Sequence, residues 1–205
     1  MLLAIDTSTG TSVAVVDHDG GILAEHSTDD AMRHAEVVGA FIRDALDDAG
    51  VAPTALAGVA AGMGPGPFTG LRVGIAAAHA FAIGIGRALV PVPSHDAIAW
   101  AWMLEHGPGR VQVVTDARRR ESAVSEYDGL DDAGLPVRLA GPALFPRDEV
   151  PLHAVRHDAS LVRAGAVGML AELAFAAGRL PLAADEPMYL RAPDVTPSAG
   201  KQVLR

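Results

Sequence analysis

Apolar and polar positions alternate at the start of the chain, so the pattern predicts a strand over 2–5, a polar turn and a second strand over 12–16. Asp19-Gly20-Gly21 is a hairpin signal leading into a third strand over 22–25. From His34 the period changes. Val37, Val38, Phe41, Ile42, Ala45, Leu46 and Ala49 form one broad helical stripe that Gly50 closes. A short apolar run over 56–61 has the length of a strand, and Gly62-Met63-Gly64-Pro65-Gly66-Pro67-Phe68-Thr69-Gly70 follows it. A helix of small residues then reaches Gly86, a strand covers 89–92, and Ser94 opens a helix carrying Trp100 and Trp102.

The opening pattern returns half a chain later. Val111-Gln112-Val113-Val114-Thr115-Asp116, a polar turn, a strand over 122–126 and Tyr127-Asp128-Gly129 repeat the strand ending at Asp6, its turn and its returning strand. Beyond that point prolines crowd 136–151, and one further helix is predicted over 160–177. The expectation is an α/β protein of two lobes, 1–100 complete and 101–205 reduced.

Composition narrows the classes. The chain has 205 residues, half of them hydrophobic, enough to bury a core without cross-links. There is no cysteine, which excludes disulfides and thiolate zinc sites and fits a reducing cytoplasm. No basic leader precedes the first apolar run, and the weakly charged stretch from Arg72 to Arg87 is short for a membrane span, so a soluble cytoplasmic protein is expected. Net charge is −9, with one lysine (Lys201) and one dense basic run, Arg118-Arg119-Arg120. Nucleic-acid binding rests on clustered cations that neutralise phosphates, so unaided binding of RNA is not expected.

Candidate chemistry lies at two loops. Asp6, Thr7, Ser8 and Thr9 end an apolar strand in short polar side chains at a tight turn; such a turn either cradles an anion or satisfies its own backbone. Gly64, Gly66 and Thr69 belong to an irregular loop entering a helix N-terminus. No Lys-Ser or Lys-Thr follows its last glycine, so it is no Walker A loop, and a rigid connector is the other reading. Gly70, Gly74, Ala78, Ala82 and Gly86 recur every fourth residue along one face, which must meet either the lobe's own sheet or another protein's helix. His153 and His157 are four apart, but Ala154 stands where a zinc-protease helix needs glutamate, so a solvated loop is expected there. Arg118 to Arg120 read as a solvated turn or as a contact for a partner or anion.

Four segments together resemble the TsaB/YeaZ family: Leu3-Ala4-Ile5-Asp6-Thr7-Ser8-Thr9, Gly64-Pro65-Gly66-Pro67-Phe68-Thr69-Gly70-Leu71-Arg72-Val73-Gly74, Asp116-Ala117-Arg118-Arg119-Arg120-Glu121 and Pro187-Met188-Tyr189-Leu190-Arg191. Pro67 replaces the family's usual serine. The resemblance implies the actin/Hsp70/sugar-kinase fold of two duplicated lobes. It also implies a non-catalytic subunit that binds and activates the paralogue TsaD, joined by TsaE, in threonylcarbamoyl transfer to adenosine 37 of tRNA, with tRNA engaged only by the assembled complex. Aligned from the glycine loop, the paralogue's two metal-binding histidines fall on Ser94 and Ile98, neither of which replaces imidazole. No metal or cofactor is therefore expected. The family docks through two helices, which places the partner surface on His34, Val37, Val38, Phe41, Ile42, Ala45, Gly70, Val73, Gly74, Ala77, Ala78 and Phe81. The same surface implies a homodimer when TsaD is missing. The alternative from another class is a small-molecule kinase or ATPase of the same fold, with Asp6 and Asp116 as its acids.

Overall fold

A computed structural model describes residues 1–191. The first sheet contains β1 (Leu2–Asp6), β2 (Thr11–Asp17), β3 (Gly21–Thr28), β4 (Gly58–Gly62) and β5 (Ala88–Val92), in the order β3-β2-β1-β4-β5. β1 is antiparallel to β2 and parallel to β4, so it lies at the centre of the sheet and is buried along its whole length. Period-two alternation divides the sheet between two cores. Leu3, Ile5, Val13, Val15, Val59 and Ala61 face α1 (His34–Ala49) and α2 (Phe68–Ile85). Leu2, Ala4, Ala14, Val16 and Ala60 face α3 (Ser94–His106) and α4 (Ala164–Ala176).

The second sheet is a shorter copy of the same design. β6 (Arg110–Asp116) is antiparallel to β7 (Glu121–Leu130) and parallel to β9 (Val155–Asp158). β8 (Pro136–Pro146) pairs antiparallel with β7, giving the order β8-β7-β6-β9. The relations of β6 to β7 and β9 thus repeat those of β1 to β2 and β4, as the recurrence of Asp6 and Asp116 predicts. The second copy has four strands against five, which is the reduction expected from the sequence. The proline-rich stretch forms an eleven-residue strand, possible because β8 lies at an edge, where missing N–H donors need no partner on the outer side.

Residue 100, the expected boundary, lies inside α3. α4 comes from the second half yet packs on the first sheet, where a Cβ at Gly168 would meet Val16 Cγ2 at 2.6 Å. One core therefore runs from β1 and β2 through α3 and α4 to Val111, Val113 and Tyr127 of the second sheet. By length and composition α2 would be able to cross a membrane, but its Gly70, Gly74, Ala78 and Ala82 side is buried within the lobe.

Candidate functional site

The Asp6 turn is enclosed, and its polar groups are spent within the protein. Asp6, Thr7 and Ser8 are all buried. Asp6 Oδ1 accepts from the Ser8 N–H (2.7 Å) and the Ser8 hydroxyl (2.6 Å), and Oδ2 accepts from Ser94 Oγ at 2.5 Å. Burial raises the pKa of the Asp6 carboxyl, while the Ser8 and Ser94 bonds oppose that rise by favouring the ion. A Cβ at Gly62 would lie 1.8 Å from Asp6 Oδ2, so only glycine leaves room for that carboxylate.

Thr7 explains the stripe of small residues. Its Oγ1 donates to the Gly70 carbonyl (2.7 Å) and accepts from the Gly74 N–H (2.9 Å), tying β1 to the first turns of α2. A Cβ at Gly74 would stand 2.2 Å from that oxygen, and one at Gly70 would stand 2.7 Å from the Thr7 carbonyl oxygen. The glycine loop closes from the other side, where a Cβ at Gly66 would meet the Ser8 carbonyl oxygen at 2.3 Å. The loop and the turn therefore pack on each other through backbone. Thr9 is used structurally as well, its hydroxyl accepting from the Val162 N–H at 3.0 Å. Thr69 alone of the expected loop residues is exposed.

Half of the expected partner surface also faces inward. His34, Val38, Ala45, Gly70, Gly74 and Ala78 are buried in their own lobe. His34 opens α1, with Nδ1 at 2.8 Å from Thr11 Oγ1. Its pKa is lowered, first by burial and then by the charge of Arg118. On α2, every-fourth spacing defines a face, and the hydrogen bonds of Thr7 with Gly70 and Gly74 turn that face inward. Val37, Phe41, Ile42, Val73, Ala77 and Phe81 are half-buried. Ile83, which pattern reading did not single out, is 78% exposed on α2. Ile42 and Leu46 of α1, residues 50–53 and Phe81 of α2 border an open groove of about 550 Å³.

At the metal positions inferred from the resemblance, Ser94 is bonded to Asp6 and Ile98 is core. His95 lies on another side of α3, between Ser125 Oγ (2.8 Å) and Thr115 Oγ1 (2.9 Å) of the second sheet. Burial, aided by Arg138, lowers its pKa to about 3, so it is neutral and structural. His153 precedes β9 and His157 lies on it; His153 Nδ1 is 2.6 Å from Glu126 Oε1. Their spacing is therefore not that of a helix.

The arginine run forms the turn between β6 and β7. Arg118, Arg119 and Arg120 all have positive φ (64°, 54° and 60°), a region that costs about 1–2 kcal/mol for each non-glycine residue. The Ala117 and Glu121 N–H groups donate to the Glu121 and Arg118 carbonyls, and Arg147 N–H donates to the Arg120 carbonyl, which together hold it. The fourth motif is a strap across α2. Met188 N–H donates to the Met63 carbonyl (2.8 Å), the Tyr189 ring lies 4.7 Å from that of Phe68, and Arg72 Nε donates to Tyr189 Oη at 2.9 Å. Arg191 pairs with Glu121 of the second lobe.

Duplicated β-sheets joined through one core, with paired aspartate-ended strands, define a protein of the actin/Hsp70/sugar-kinase class in which the turn at Asp6–Ser8 is closed. The family model for TsaD, tRNA N6-adenosine threonylcarbamoyltransferase, matches residues 5–137. YeaZ from Pseudomonas aeruginosa superposes with a TM-score of 0.78 at 31% identity, covering 92% of this chain and 99% of that one. An uncharacterized Mycobacterium tuberculosis protein is 39% identical over 209 residues, 97% of this chain and 95% of its own length. The Escherichia coli tRNA threonylcarbamoyladenosine biosynthesis protein TsaB is 32% identical over 126 residues, 62% of this chain and 54% of its own length. The chain belongs to the TsaB/YeaZ family.

Proposed function

We propose that the chain is a non-catalytic subunit in threonylcarbamoyladenosine formation on tRNA, and that it acts by docking on and activating TsaD. The observation that carries this reading is the half-exposed apolar face shared by α1 and α2, made of Val37, Phe41, Ile42, Val73, Ala77 and Phe81. A folded subunit with such a face lowers its free energy by covering it, and a partner of like fold offers matching helices. The same face serves a homodimer when TsaD is missing; TsaE and tRNA join only the assembled complex. Support for the absence of catalysis comes from Asp6, whose carboxylate is held by Ser8 and Ser94 and is closed off from solvent. A kinase or ATPase would need that acid open to a metal-bound phosphate.

The test uses Ile83→Arg and Ala77→Arg, at an exposed and a half-buried position of α2. Both variants are expected to melt within a few degrees of the parent, run as monomers and fail to co-purify with TsaD. Folded variants that still self-associate and still capture TsaD would sink the proposal. The purified chain is also expected to hold no stoichiometric metal on elemental analysis.

A further inference from the structure

We infer that the strap, 179–191, prepares the docking face of α2 by holding its two large polar side chains aside, and that Asp185 and Tyr189 are positioning residues for that docking. The inference rests on the reading that the α1–α2 face takes TsaD. Arg72 and His79 are the only ionisable side chains of α2. Positions 72, 76, 79 and 83 follow the helical spacing and share one stripe on the open side of the helix. Arg72, Ala76 and Ile83 are exposed there and His79 is half-buried. The neighbouring positions, Thr69, Val73, Ala77, Ala80 and Gly84, are all short.

Both large side chains are fixed by the same segment. The Arg72 guanidinium lies 3.6 Å from the Phe68 ring centroid, and its Nε donates to Tyr189 Oη at 2.9 Å. His79 Nε2 is 3.0 Å from Asp185 Oδ1. Tyr189 and Asp185 lie 117 and 106 residues further along the chain, so these bonds exist only where the strap crosses α2. The strap is itself firmly placed. Arg179 pairs with Asp131 and Asp132 before β8, and Leu180 and Leu182 pack on the core shared by the two sheets. Met188 and Tyr189 pack on the α1–α2 core, and the Met188 N–H donates to the Met63 carbonyl at 2.8 Å.

Exposed contacts of this kind add little to folding, because water competes for the same groups. Their effect on docking is larger. A long side chain left free on an interface must be ordered when the partner arrives, and that ordering lowers affinity. With the strap in place, Arg72 and His79 are ordered before docking and turned towards Tyr189 and Asp185. A partner helix then meets Ala76, Ala80 and Ile83 instead of a guanidinium that moves over them. The distance between packed helices is set by the side chains at the contact, so short residues with the long ones held back allow close approach. The motif running from Pro187 to Arg191 thus acts on the docking face without forming its centre.

The test is calorimetric titration of the purified chain with TsaD, with the melting temperature as the control for folding. Asp185→Ala combined with Tyr189→Phe releases both side chains and keeps the ring at 189. This variant should bind TsaD about tenfold more weakly and melt within a few degrees of the parent. Adding Arg72→Ala and His79→Ala to it should restore the parent affinity, since no long side chain is left to order. Arg72→Ala with His79→Ala behind an intact strap should bind within about threefold of the parent. Should the released variant melt early, Asp185→Ala alone, with His79→Ala as its rescue, makes the same comparison at an exposed position. The inference is overturned if the released variant binds as the parent does, or if removing Arg72 and His79 fails to restore binding. It is also overturned if their removal alone weakens binding about tenfold, which would make them direct contacts. Ile83→Arg separates this inference from the docking reading. Normal binding by Ile83→Arg, or no binding by the parent, sinks both. Loss of binding in Ile83→Arg with unchanged binding in the strap variants sinks only the role of the strap.

Discussion

Gly74→Ala tests how the first lobe is held together. Alanine is ordinarily the better helix residue by about 1 kcal/mol, so propensity alone predicts a more stable protein. The structure predicts the reverse. The added methyl would lie 2.2 Å from Thr7 Oγ1 and 3.0 Å from its Cγ2, and Thr7 is only 1% exposed, so the threonine cannot swing into solvent. Relief requires breaking the bonds that Thr7 makes to the Gly70 carbonyl and from the Gly74 N–H. Losing two buried bonds costs about 2 kcal/mol, and overfilling the site adds about 1–3 kcal/mol. After the propensity gain, the net loss is about 2–4 kcal/mol, a fall in Tm on the order of 6–12 °C for a protein of this size. Gly84→Ala on the same helix meets nothing within 4 Å and should gain up to about 1 kcal/mol. Thermal melts followed by circular dichroism, with urea titrations, measure both. In a Thr7→Ala background the cost of Gly74→Ala should shrink by at least about 1 kcal/mol, since the two closest clashing atoms, Oγ1 and Cγ2, and the bonds are already gone. A Gly74→Ala protein that melts at or above the parent, or strict additivity with Thr7→Ala, would refute the assignment of this face to the interior.

His95 should make the protein sensitive to mild acid. Its folded pKa, lowered to about 3 by burial and by Arg138, lies below the unfolded value of 6.5, so its contribution is complete above pH 6.5 and is lost as pH falls towards 3. The loss is up to about 1.4 kcal/mol per pH unit. Asp6 and Asp96, raised by burial, act in the opposite direction, so the quantity to follow is the difference in unfolding free energy between the parent and His95→Gln across pH 4 to 7. A constant difference would refute the assignment of a neutral, buried imidazole. Arg120→Gly should raise Tm slightly, relief of the left-handed backbone (about 1 kcal/mol) exceeding the added freedom of the unfolded chain; a fall of several degrees would mean that the arginine side chain holds the turn.

Local pattern carried much of this protein. Alternation around Leu3 and Ile5, the aspartates ending β1 and β6, and the change of period at His34 are effects of near neighbours, so the duplicated strand–turn–strand units and α1 are legible without any tertiary contact. Spacing likewise places Gly70, Gly74 and Ala78 on one face of α2. Which way that face turns is decided by Thr7, 67 residues before Gly74, through bonds that exist only once β1 lies beneath the helix. The same holds for Asp6, whose polar turn reads equally well as a ligand cradle until Ser94, 88 residues away, takes its second oxygen. β8 was hidden because proline argues against strands in general and only its position at a sheet edge removes the objection. That Phe68, Leu144 and Tyr189 line one cavity beside Arg118 is not set by spacing in the chain, since they meet there only through the packing of two lobes and a strap. Periodicity is set by bond geometry along the backbone, whereas the direction a face points and the room beside it are set by distant residues competing for the same buried donors and volume.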